Sequence, residues 1–243
     1  MKLYANQYWP YVIEMCLARA GGLARTVGST IVFLAFCLLA VTGSSPAPQA
    51  RELTAPDKHE NWKGSTSEHA ALHSNKGARL YDRGQYRAAI QEFTRALRIQ
   101  PNLSAVFYNR GNAYLRLRSF AAAVDDYSES LRLNPRFVLS LANRGNALSA
   151  LGRLDEALAN FNAAAVLEPS NPYVLFNRGY VYGKRGDYRR AISDFTRVLE
   201  LDPNDADALA LRSAAFRAIG EKQKALDDLK KALSLDPTNP RFR

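Results

Sequence analysis

With 243 residues, 47% hydrophobic and 23% charged, the chain has the balance of a folded protein and not that of a disordered one. Its formal net charge of +10 favours acidic partners, whether peptides, anionic lipids or polyanionic glycans, and does not single out nucleic acid. Both cysteines, Cys16 and Cys37, precede residue 40, so the remainder must hold together by packing and not by a disulfide.

The first feature along the chain is the eleven-residue apolar run Ile31 to Val41, IVFLAFCLLAV. Arg19 and Arg25 precede it, and Thr42, Gly43, Ser44 and Ser45 follow. A positive flank, a short apolar core and a small-residue exit form the pattern of a secretory signal, with Gly43 a plausible cleavage point. The run is shorter than the roughly 20 residues a spanning helix needs. No charge falls between Arg25 and Arg51, however, so an uncleaved anchor is the alternative and a non-targeting apolar stretch the third reading. Residues 1–28 are long for a signal, and Met15 would give a more ordinary start than Met1. A lipoprotein reading of Cys37 meets the bulky Phe36 where a small residue is wanted. Residues 1–43 are therefore expected to be signal or anchor. Residues 44–66, with Pro46, Pro48 and Pro56 among polar residues, are expected to be a flexible linker.

From residue 67 to 243 the chain is repetitive. Prolines recur at Pro101, Pro135, Pro169, Pro203 and Pro237, always 34 residues apart. This frames five units, 70–103, 104–137, 138–171, 172–205 and 206–239. Position 8 of each is small (Gly77, Gly111, Gly145, Gly179, Ser213), and position 20 is always alanine (Ala89, Ala123, Ala157, Ala191, Ala225). Position 24 is large: Phe93, Tyr127, Phe161, Phe195 and Leu229. Small residues let two helices of one unit approach, and large ones fill the volume beside them. Position 15 is Gly84, Arg118, Gly152, Gly186 and Gly220, suited to a left-handed helix end. One unit cannot bury its own apolar faces, so neighbours must stack.

These positions resemble the signature of the tetratricopeptide repeat family, W-x2-L-G-x2-Y, A-x3-F and P. The resemblance implies an all-α, right-handed α-solenoid of five helix-turn-helix repeats. One departure recurs: the signature leucine at position 7 is Lys76, Arg110, Arg144, Arg178 and Arg212, a change expected to bear on surface chemistry. In the family the first helix of each unit lines a concave face. Carried over, this implies a ligand groove of Asn75, Asn109, Asn112, Asn143, Asn146 and Asn177. Tyr108, Tyr173, Phe176 and Tyr180 join them, with charge from Arg116 and Lys184. Asparagine amides both donate and accept, so such a ladder suits the backbone of an extended peptide. The family's best-known groove clamps a carboxylate with two asparagines and several basic residues. Asn112 and Asn143 match the asparagine places, but Tyr108, Tyr173 and Asn177 stand where cations are needed, so that clamp is incomplete.

No catalytic set, phosphate loop or metal-ligand cluster interrupts the repeats, so neither enzyme activity, cofactor nor metal is expected. His69 and His73 stand four apart but lack a third ligand. Asp125-Asp126 and Asp227-Asp228 fall on second helices and are expected as solvated surface. Only six residues follow Pro237, which leaves Leu226, Leu229 and Leu233 to pack on a second copy or a partner. The chain thus reads as a non-catalytic scaffold of bacterial type, exported to the periplasm or secreted, or else held by a single-pass anchor with its repeats outside the cytoplasm. It holds a protein or peptide partner, touches a membrane only through its N-terminal segment, and is not expected to bind nucleic acid. The alternative is a structural envelope protein that meets anionic glycan or lipid with its basic surface.

Overall fold

The computed structural model describes residues 65–239. The expected signal or anchor lies outside the described residues, as does nearly all of the expected linker. Among the described residues no helix is long and apolar enough to cross a membrane. Ten α-helices follow one another without a strand among these residues: α1 (Thr66–Asp82), α2 (Tyr86–Ile99), α3 (Ser104–Arg116), α4 (Phe120–Leu133), α5 (Val138–Ala150), α6 (Leu154–Leu167), α7 (Pro172–Arg185), α8 (Tyr188–Leu201), α9 (Ala206–Ala218) and α10 (Lys222–Leu235). Each odd helix packs antiparallel on the even helix after it, and each pair packs on the next. The fold is an all-α solenoid, as the 34-residue period predicts.

Helix starts follow their local chemistry. Ser65 opens α1 with a capping box: its hydroxyl accepts from the Glu68 amide at 3.2 Å, and its own amide donates to Glu68 Oε2 at 2.7 Å. Asn171 caps α7 ahead of Pro172, and Asp205 caps α9 by accepting from the Ala208 amide. The ends of the odd helices share one turn. In repeat two the Arg118 amide donates to the Leu115 carbonyl and the Ser119 amide to the Tyr114 carbonyl, the double bond of a Schellman end. Its central residue is left-handed in every repeat, with φ of 75° to 88° at Gly84, Gly152, Gly186 and Gly220 and 59° at Arg118. Four repeats use glycine for this conformation; the second forces an arginine into it.

Within each repeat the small residue at position 8 lies under the ring at position 24. A β-carbon on Gly111 would stand 2.8 Å from the Tyr127 ring, and one on Gly77 2.7 Å from Phe93. Phe93, Tyr127, Phe161 and Phe195 are buried, as are the position 20 alanines beside them. Repeat five relaxes the fit: Leu229 replaces the ring, and Ser213 takes the glycine place with its hydroxyl donating to the Ala225 carbonyl at 2.7 Å. Leu229 and Leu233 pack against the core cluster of Leu175, Val198, Leu199 and Leu209, while Leu226 is exposed.

The position 7 arginines are not surface chemistry. Arg110 Nε and Nη2 grip both oxygens of Asp126 at 2.8 and 2.7 Å, and its Nη1 reaches back to Thr94 of the preceding repeat at 3.0 Å. Arg178 repeats this with Asp194 and Asn162, and Arg212 with Asp228 and Thr196. Asp126 and Asp228, expected as solvated, are buried in these forks; their neighbours Asp125 and Asp227 are exposed. Each rung joins the two helices of one repeat and staples that repeat to the one before. In repeat one, Lys76, Arg95 and His73 surround Glu92 at the same place.

One rung lacks its charge. Arg144 donates to the Asn160 carbonyl oxygen at 2.7 Å and to Ser128 at 3.1 Å, with no carboxylate in the fork. Burial accordingly lowers the Arg144 pKa, against which only the charge of Glu156 acts. At Arg178 the hydrogen bonds that it donates to Asp194 raise it despite burial.

Three variants test this packing by unfolding in urea. Gly111→Ala should lose about 2 kcal/mol, because the new methyl group displaces a fully buried ring. Asp194→Ala should lose about 3 kcal/mol by leaving Arg178 inside without its counter-charge, whereas Asn160→Asp should change stability by less than about 1 kcal/mol, the charge given to Arg144 being offset by the lost amide bond to the Glu156 carbonyl.

Candidate functional site

The first helices of successive repeats also approach one another, α1 to α3, α3 to α5, α5 to α7 and α7 to α9, which places them along the inner side of the array. Positions 2, 5, 6, 9 and 13 of those helices carry the residues that the sequence nominates for a groove.

Five side chains from three repeats form one hydrogen-bonded chain there. The Tyr127 hydroxyl donates to Asn112 Oδ1 at 2.7 Å, and Asn143 Nδ2 donates to the same oxygen at 2.8 Å. The Tyr173 hydroxyl donates to Asn143 Oδ1 at 2.7 Å and accepts from Asn146 Nδ2 at 2.8 Å. Tyr108 lies beside this chain, its ring 4.9 Å from Phe137 and 6.1 Å from Tyr127, with its hydroxyl 3.5 Å from Asn143 Nδ2. Burial pushes the Tyr127 phenol well above the ordinary tyrosine value, so it stays a hydrogen-bond donor across the physiological range. Tyr127 is absent from the nominated set. As a position 24 ring it reads as core, and its hydroxyl, where the four other repeats have Phe or Leu, is the one signal of its second role.

The nominated asparagines divide by environment. Asn75 is exposed and Asn109 half-buried, so both meet solvent along α1 and α3. Asn112, Asn143 and Asn146 belong to the chain, and Asn143 is buried within it. Asn177 is 1% exposed and donates to the Tyr173 carbonyl of its own helix at 2.7 Å, so it packs inside the wall. Phe176 stands edge-on to Phe195, 5.8 Å between centroids, against the core of repeats four and five, and Tyr180 is buried. Lys184 Nζ donates to the Ser149 carbonyl at 3.4 Å, bridging repeats three and four. Arg116 reaches back over the Tyr86 ring of repeat one, 5.2 Å from its centroid. The half-buried Tyr81 phenol is raised by burial, with the nearby Arg116 charge pulling the other way.

Asn112 and Asn143 therefore spend their carbonyl oxygens on neighbouring phenols and amides. Asn75 and Leu139 are exposed along this row, and Asn109, Asn112, Tyr108 and Tyr173 are half-buried in it. Such a surface donates to carbonyls and packs against apolar side chains. Elsewhere, His73 Nδ1 lies 2.7 Å from Glu92 Oε2, and no group of three or more His, Cys, Asp or Glu placed to hold a metal occurs among the described residues.

Family models cover the repeats. One described as TPR repeat matches residues 77–117 and 145–186, and others described as tetratricopeptide repeat match 104–137, 172–205, 127–159 and 206–239. No curated protein matches the chain. Among solved structures, YrrB, described as a TPR protein with an unusual peptide-binding site, is 24% identical with a TM-score of 0.63, covering 72% of this chain and 90% of its own. The MamA protein is 18% identical with a TM-score of 0.65, covering 72% and 96%, and MamA 41-end from Desulfovibrio magneticus RS-1 is 19% identical with a TM-score of 0.68, covering 72% and 99%. These likenesses establish a shared fold.

Removing the Tyr173 hydroxyl alone tests the chain of bonds. Tyr173→Phe leaves Asn143 Oδ1 and Asn146 Nδ2 without that partner and should cost about 1–2 kcal/mol of stability by thermal or urea unfolding.

Proposed function

Because the chain belongs to the tetratricopeptide repeat family, we propose that it is a non-catalytic scaffold that holds an extended peptide segment of a partner protein along its first helices. The observation that carries this reading is the Tyr127–Asn112–Asn143–Tyr173–Asn146 chain, which locks three repeats into one prepared surface. A floor whose side chains are already ordered loses little rotamer freedom when a ligand arrives. Its outward amides match the carbonyls of an extended backbone, a contact indifferent to side-chain identity. Tyr108, Tyr173 and Leu139 supply the apolar contacts that would discriminate between peptides. The peptide-binding site by which YrrB is described is a fold-level analogy in the same direction. The apolar run Ile31–Val41 supports a place outside the cytoplasm, exported or anchored, where the scaffold would assemble an envelope or secreted complex.

The test is a random peptide library panned on the full-length protein, followed by calorimetry on the selected peptide. Asn109→Ala should weaken that peptide roughly tenfold, the worth of one well-made hydrogen bond, and Gln91→Ala on the exposed side of α2 should leave it unchanged. Failure to select any peptide, or equal affinity in Asn109→Ala, defeats the reading.

A further inference from the structure

The turns between first and second helices form one edge of the array, and the loops between repeats form the other. Charge is divided unevenly between them. Positions 13 to 18 of the five units hold nine basic and four acidic residues, whereas the loops from position 30 to the next unit's first residue hold one basic and four acidic. In the third and fourth turns the surplus is partly neutralised, Arg153 by Glu156 and Arg185 by Asp155 and Asp187. In the first two turns it is not. Arg83, Arg87, Arg116 and Arg118 are all exposed, Asp82 is the one acidic residue in those turns, and among the described residues none of the four arginines is in an ion pair.

These two turns touch, since Arg116 of the second lies over Tyr86 of the first. Arg118 likewise lies 5.8 Å from the Phe120 centroid. Between Arg116 and Arg118 the tip presents Leu117, 36% exposed. Arg118 is also the strained residue, left-handed where each of the other four repeats has glycine, and a β-carbon on those glycines would meet nothing within 4 Å. A side chain kept in a conformation that disfavours it points to a role beyond the fold.

We propose that the first two helix turns, through Arg83, Arg87, Arg116 and Arg118 around the Leu117 tip, dock on an anionic lipid surface. Guanidinium groups bind phosphate oxygens bidentately, and an apolar residue among them suits the boundary between headgroups and acyl chains. The tip is made of two helix turns with exposed side chains. The rings of Tyr86 and Phe120 already carry guanidinium groups over them, so they do not offer the bare faces on which the bases of a single-stranded nucleic acid stack. The chain before residue 65 carries the Ile31–Val41 apolar run. A polar, proline-containing stretch of 23 residues separates that run from Ser65. This site shares Arg116 with the row that lines the peptide groove and otherwise uses residues outside it.

Hydrogen exchange on the full-length protein separates the turns from the N-terminal segment. Phosphatidylglycerol vesicles should slow amide exchange at 83–87 and 116–120, phosphatidylcholine vesicles should not, and about 1 M salt should abolish the effect. Arg116→Gln with Arg118→Gly should reduce the protection roughly thirtyfold, about fivefold for each arginine. Arg118→Gly alone should raise the unfolding midpoint while weakening the protection, a combination that simple structural damage does not produce. Equal protection on both vesicle types, no protection on the anionic ones, or unchanged protection in the double variant would overturn the proposal. So would an Arg118→Gly midpoint no higher than the parent's, or protection of these turns by polyuridylate in place of vesicles.

Discussion

At Gly111 the ring of Tyr127 occupies the space a β-carbon would need, and the same contact recurs in repeats one, three and four. This approach brings position 8 of the first helix onto position 24 of the second, and the neighbours of those two residues are then fixed with them. Position 7 is set beside position 23, so Arg110 meets Asp126, Arg178 meets Asp194 and Arg212 meets Asp228. Position 9 lies on the other side, where the Tyr127 hydroxyl passes over Gly111 and reaches Asn112. Core, inter-repeat staple and groove floor all derive from one steric fit, which is why bulk at position 8 would be felt in all three.

The 34-residue interval and the small and large positions made the helices, their pairing and the all-α fold legible before any coordinate. The rungs were not legible, because a hydrophobic signature was used to judge a position that had changed its chemistry. Arginine at the leucine place looks like a surface residue when read singly. Read together with position 23, where Glu92, Asp126, Asn160, Asp194 and Asp228 lie sixteen residues later, and with Thr94, Ser128, Asn162 and Thr196 at position 25, it is a three-part pattern. The groove was legible as a face but not residue by residue. Asn143 and Asn177 occupy the same register position, yet one joins the network and the other turns back to its own helix, because their partners come from neighbouring repeats that differ in sequence.

Departures from the repeat carry different meanings. Asn160 leaves the Arg144 guanidinium without a carboxylate, yet the geometry of the rung survives with an amide oxygen and a serine hydroxyl in place. The staple is thus geometric first and ionic second, consistent with the modest net worth of enclosed ion pairs. Arg118 is another matter. No contact of the fold asks for a side chain there, since the glycines at the equivalent places of the other four repeats stand in open space. Its backbone cost, of order 1–2 kcal/mol, is set against one exposed contact, the guanidinium over the Phe120 ring.

The groove and the arginine-bearing edge meet at Arg116. Its backbone belongs to the last turn of α3, the row that lines the groove, while its guanidinium lies back over Tyr86 among the turns. Tyr86 in turn stands edge-on to Tyr81 of α1, 5.3 Å between centroids. Tyr81, Tyr86 and Arg116 therefore form a continuous packed path from the groove's rim to the basic tip. A ligand that drew Arg116 outward would uncover the Tyr86 face and remove the charge that acts on the Tyr81 phenol, while one that held Arg116 in place would preserve both. The rim and the tip share this cation, so a ligand at one could bear on the other only through where it holds the guanidinium.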